Sequence, residues 1–217
     1  MGLDWQPLGR PKPGHEAEFN RLFEKLMDGV RAATRARERM RAIEVGPFET
    51  LGAPRIGFDE QADRWAEEQY RQRPATEQSV SLESFMKDLH GYYVLEILPP
   101  NDGLPPYTNG SFGGWCELYS FRAQFLEICE DVIDEDLLKE AWGDHTAAEL
   151  VDYGGRLRDR AVAFAERHGL TGMLAQRDPP ETEEEQESPA GQVHIVISAA
   201  RWCLFWGERG HGMLADF

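Results

Sequence analysis

The chain is short of cysteine, of positive charge and of long apolar runs, and each shortage excludes something. Its 217 residues include 3 cysteines, Cys116, Cys129 and Cys203, an odd set with no C-x-x-C spacing. That excludes a disulfide framework and a zinc ribbon and leads us to expect reduced thiols in the cytoplasm. Lys and Arg number 23 against 39 Asp and Glu, a formal net charge of −16. The basic footprint needed to bind a nucleic-acid backbone is therefore missing. The longest apolar stretch, Val193 to Trp206, contains His194, Ser198 and Arg201; it is too short and too polar to span a bilayer, so no membrane is expected as partner. The opening MGLDWQPLGRPKPGHEAEF carries charges and prolines and reads as no secretory leader. No H-x-x-x-H or H-E-x-x-H occurs, and serine-hydrolase and nucleotide-binding patterns are missing too. Gly207-x-x-Gly210-x-Gly212 follows a helix instead of leading from a strand into one, so it is not read as a phosphate loop. No metal and no cofactor is expected.

What the chain does have is a core. Hydrophobic residues make up 41% and aromatics 11%, enough for a folded body without staples. The pattern predicts a mainly α, single compact domain over 1–217, with about six helices and room for a minor strand element. Phe19, Leu22, Phe23, Leu26, Met27, Val30 and Ala33 recur at helical steps, predicting a helix from Glu16 into the mid-thirties. Arg31, Arg35, Arg37, Arg39 and Arg41 then crowd the chain before Gly46-Pro47. A second helix follows Asp59, with Ala62, Trp65, Ala66 and Tyr70 inward, and a third covers Leu82 to Leu89. Tyr92 to Leu98 carries a weak strand signal, and residues 99–114 form a long Pro/Gly loop. Trp115 to Ile133 is read as the clearest amphipathic helix. Asp134 caps a short continuation, and Thr146-x-x-Glu149 is a capping box opening a helix that stops at Gly169. Gly154, Gly155 and Ala161 leave that helix open to a close neighbour. Residues 178–190 read as an acidic flexible linker within the domain, leading to a buried C-terminal helix.

Several residues sit badly in a plain core. On a helical wheel begun at Trp115, Arg122 lands between Cys129 and Ile133, inside the apolar arc. A buried guanidinium must find a carboxylate, carbonyls or an anionic ligand, and a structural ion pair is the simplest answer. In the last helix His194, Arg201 and Glu208 lie seven residues apart, bordered by Ser198. This narrow polar line is either a solvent edge or the wall of a pocket that Trp202 would share. Residues 193–197 also alternate as a strand would, which would detach His194 from the line. His211, between Gly210 and Gly212, reads as a frayed turn or a binding loop. Cys116 is placed for reactivity in the first turn of its helix. Asp144, His145, Glu149 and Asp152 supply metal-type donors, but acids gather at helix N-termini for dipole reasons.

The leading expectation is a non-enzymatic interaction protein that recognises another protein through its acidic surface. The alternative is a binding protein or enzyme with a pocket for a small anionic ligand, lined by Arg122, Arg201, His194 and Trp202. A thiol-dependent activity at Cys116 is the third. Whether the chain catalyses anything is left open by these residues.

Overall fold

The computed structural model describes residues 2–27, 33–73, 80–94, 96–98, 107 and 120–216. The fold is mainly α, with two small antiparallel strand pairs. At its centre lie α7 (Ala147–His168) and α9 (Pro189–Gly207). The capping box that opens α7 forms as expected, Glu149 accepting from Thr146 N at 2.8 Å, and Gly169 ends the helix at φ 70°. The two helices run antiparallel in close contact. A methyl group on Gly154 would sit 2.7 Å from Cβ of Cys203, and one on Gly207 would sit 2.7 Å from Cγ2 of Val151. Glycine at both positions therefore fixes how near the backbones approach. Gly155 faces open space and takes no part.

Residues 193–197 are helical, which overturns the strand reading. They alternate in sequence, but the helix is buried on every side from Gly191 to Ala200. A helix without a polar face carries no period to read. The segment before it is also more ordered in outline than a linker. Thr182 and Glu185 form a second capping box opening α8 (Glu183–Glu187), and Ser188 caps α9 by accepting from Gly191 N at 3.1 Å. Three acids in the first turn of α8 suit the positive end of its dipole.

The helix expected from Trp115 to Ile133 does not form over the described residues 120–133. Residues 115–119 lie outside the described residues. Phe121 is extended and exchanges backbone hydrogen bonds of 2.7 and 3.1 Å with Trp5, and a 3-10 turn covers Ala123–Ile128. The apolar spacing is real, but a contact with a residue far away in sequence decides the backbone. Trp5 belongs to β1 (Asp4–Pro7), which pairs with β4 (Met213–Asp216) in the register Asp4↔Asp216 to Pro7↔Met213. Its indole is fully buried, donates to the Ala141 carbonyl at 2.8 Å, and lies 5.6 Å from Trp202.

Two smaller apolar clusters flank this core. In the first, α1 (Glu16–Met27) and α2 (Ala33–Ile43) pack against each other, so the expected helix from Glu16 into the mid-thirties does not continue straight into α2; residues 28–32 lie outside the described residues. Phe19, Phe23, Met40 and Ile43 pack between them, while Arg39 makes paired bonds to Glu18 of 2.8 and 2.9 Å. This bond pair pulls the Glu18 carboxyl down to about 2. A strand pair, β2 (Arg10–Pro11) with β3 (Glu44–Val45), closes that end. The second cluster holds Ile56, Ala62, Trp65, Ala66 and Val94 beneath α4 (Glu60–Gln72) and α5 (Leu82–Asp88), with α3 (Pro47–Leu51) alongside. Instead of a strand over Tyr92–Leu98, a single bridge joins Tyr93 to Arg55. The short continuation expected after Asp134 is α6 (Glu135–Glu140), whereas α3 and α8, each 5 residues long, are too short for a periodic pattern to announce them.

Candidate functional site

The residues singled out by sequence do not gather in one pocket. Arg122 precedes the 3-10 turn, is only partly buried, and lies 3.7 Å from the Asp4 carboxylate. Arg201 donates to the carbonyls of Leu174 and Gln176 on the turn after α7. Trp202 is wholly core, and Glu208 is exposed at the end of α9. Cys116 lies outside the described residues. Cys129 and Cys203 are buried free thiols, and burial pushes both up in pKa, away from the reactive thiolate.

The polar line of α9 runs from inside to outside. His194 and Ser198 are buried, Arg201 is half-buried, and Glu208 reaches solvent. The His194 Nδ1 lies 2.7 Å from the Tyr107 hydroxyl, while its Nε2 has no hydrogen-bond partner among the described residues. Burial first, and the Arg201 charge second, lower its affinity for a proton.

His211 is the opposite of a frayed turn. It is fully buried because β4 folds the following residues back onto β1. Its Nδ1 lies 2.6 Å from the Leu8 carbonyl and so carries the proton, leaving Nε2 to accept from the Thr50 hydroxyl at 2.8 Å. Arg10 Nε donates to the same hydroxyl at 3.1 Å. Carbonyl, imidazole and hydroxyl in that order match the parts of an activated nucleophile. Burial, with Arg10 and Arg209 adding to it, holds His211 down to about 4, which removes the basicity a general base needs near neutrality. The chain of bonds is a brace between the end of β1, α3 and the turn before β4.

The four metal-type donors are likewise engaged. Asp144 accepts from Ala215 N at 2.7 Å, and His145 Nε2 meets the Glu140 carbonyl at 3.1 Å. Glu149 holds the cap of α7, and Asp152 binds Arg156 at 2.8 Å. Among the described residues no group of three or more donors converges on a metal position.

A different group lies at the surface around Arg55. Arg55 lies over the rings of Phe58, at 4.6 Å, and Tyr93, at 5.3 Å, and Phe48 stacks on Tyr93 at 5.2 Å. Its Nε donates to the Gly91 carbonyl at 2.7 Å, but its two Nη groups make no hydrogen bond and no ion pair among the described residues. The local backbone explains the placement. Gly57 at φ 84° and Gly91 at φ 91° turn the two segments that meet at the Arg55–Tyr93 bridge, and Asp59 pins the turn by accepting from Arg55 N at 2.7 Å. A shallow depression opens here, lined by Arg55, Phe58 and Tyr93 with Pro54, Ile97 and Leu98. Phe58 is 63% exposed and Tyr92 49%, a local concentration of uncovered aromatics unusual for a structural surface. The sequence signals at hand were weak: an arginine two residues before Gly57-Phe58, and a Tyr92-Tyr93 pair after Gly91.

Fold and site together give a mainly α protein whose described buried polar groups are mostly bonded within the chain, with an exposed aromatic cluster around Arg55. Comparison with protein families, with characterised proteins and with solved structures finds no match.

Proposed function

We propose that this chain is a non-enzymatic binding protein that meets its partner through the Arg55 face of residues 48–98. The observation that carries the reading is the guanidinium of Arg55, beside two rings and one carbonyl, with neither Nη group hydrogen-bonded or ion-paired among the described residues. Catalytic candidates lack comparable support, because His211 is braced and non-basic and the buried thiols are inert. The reduced state of Cys129 and Cys203 fits a cytoplasmic setting. The net charge of −16 disfavours nucleic-acid backbone as the partner and favours selectivity for particular protein or small-molecule groups. A fragment screen on isotope-labelled protein by NMR tests the reading. Shifts confined to residues 48–61 and 90–98 support it. Turnover of activated esters or phosphate esters that disappears in His211→Ala would overturn it.

A second reading keeps a small anionic ligand near Arg201 and His194. It rests on one observation, the buried Nε2 of His194, which makes no hydrogen bond within 3.5 Å among the described residues although the Gln176 backbone lies close enough to influence its proton affinity. Shifts at Gln176, His194 and Arg201 in the same screen would favour it over the first.

A further inference from the structure

We infer that the Arg55 face binds a monocarboxylate carried on an apolar body; the inference rests on the reading of that face as the recognition surface. The guanidinium is planar and rigidly held. Its Cζ lies over the rings of Phe58 and Tyr93, and its Nε is consumed by the Gly91 carbonyl. What it offers a ligand is the pair of Nη groups, a fork whose spacing matches the two oxygens of a carboxylate. Arginine at such a site normally meets an internal Asp or Glu. Here the two nearby acids are turned to other donors: Asp59 accepts from Arg55 N, and Glu49 Oε1 accepts from the Tyr93 hydroxyl at 3.4 Å.

Those acids also set the charge of the ligand. Glu49 and Asp59 line the same depression as Arg55, so a dianion such as a phosphate monoester would meet two like charges for one opposite. A single negative charge suits the site better. Apart from Gln61 and the Tyr93 hydroxyl the remaining lining is apolar, with Pro54, Ile97 and Leu98 beside the exposed face of Phe58. An aryl or branched aliphatic body can lie there while its carboxylate meets the fork. Free carboxylic acids and the C-terminus of a partner chain ending in Leu or Phe share this chemistry.

The test is an NMR titration of the whole chain with four probes: 3-phenylpropionate, its amide, phenyl phosphate, and a tetrapeptide ending in Leu with a free carboxylate. Expected is binding of 3-phenylpropionate with shifts at Arg55, Phe58, Gly91 and Tyr93, about tenfold or more tighter than the amide and tighter than phenyl phosphate. Tighter binding of the peptide than of phenylpropionate assigns the ligand to a partner's C-terminus; the reverse assigns it to a free acid. Arg55→Lys keeps the charge but loses the fork, and weakens the carboxylate without changing the amide. Because Arg55 also braces Gly91, Phe58→Ser serves as a variant outside that brace and weakens all apolar probes. Equal affinity for acid and amide at this face overturns the carboxylate while leaving the face standing as a recognition surface. The absence of shifts at this face with every probe overturns both.

Discussion

The α7–α9 core and the residue 48–98 unit use aromatic and polar groups in opposite ways. In the core, Trp5, Tyr153 and Trp202 are fully buried, and the indole of Trp5 and the hydroxyl of Tyr153 each donate to a backbone carbonyl, those of Ala141 and Leu137. In the smaller unit, Phe58 and Tyr92 face solvent, and a guanidinium is stacked on rings yet keeps its outer edge open. The difference teaches that burial alone does not mark function here. Residues out of place by polarity, such as His211, serve the scaffold. The group best placed for recognition stands on a unit with only a five-residue buried cluster of its own.

The sharpest way to break this contrast is to remove one large ring from each side. Trp202→Ala should cost about 3–5 kcal/mol in chemical denaturation, since it opens a cavity where α9 meets β1. Trp65→Ala should loosen amide-exchange protection within residues 54–94 and spare the protection of α7 and α9. A global collapse with Trp65→Ala would mean the two regions fold as one unit.

Acid comes next in size. The ordinary histidine value is 6.5, while His211 is held to about 4 and His194 is shifted the same way. As pH falls the unfolded chain takes up these protons before the folded one does. Their contribution is therefore complete above about pH 6.5 and is lost progressively toward pH 4, by about 2–3 kcal/mol for His211. Denaturation midpoints across that range measure it, and a profile in His211→Gln as steep as the wild type's would refute the assignment. Thr50→Val isolates the brace at neutral pH, with an expected loss of about 1–2 kcal/mol as His211 Nε2 is left buried without its donor. Smallest of all, Phe58→Ser should change stability by less than about 0.5 kcal/mol. A larger loss would turn the recognition face back into scaffold.

Local chemistry was legible in the sequence wherever the chain's own neighbours decide the outcome. The Thr146–Glu149 capping box, the stop at Gly169, the Asp134 cap and the inward set Ala62, Trp65 and Ala66 all appear as expected. Distant partners defeated the reading elsewhere. Ser120 to Arg122 are drawn out of helical form by Trp5, and His211 is buried because residues 213–216 find β1. The run Glu183 to Glu187 was read for its charge, although Thr182 and Glu185 carry the same capping signature as Thr146 and Glu149. Of the site, Arg201 and His194 were correctly placed on one helix, but Arg55 passed unnoticed. Its role depends on rings that two separate turns bring together.

The pairing of β1 with β4 also orders events during synthesis. Trp5 leaves the ribosome well before residues 213–216, which close over its strand, have been made. Until then a nascent chain carries an unpaired strand and an uncovered indole. The interval invites a chaperone and punishes any stall in translation before β4 is complete.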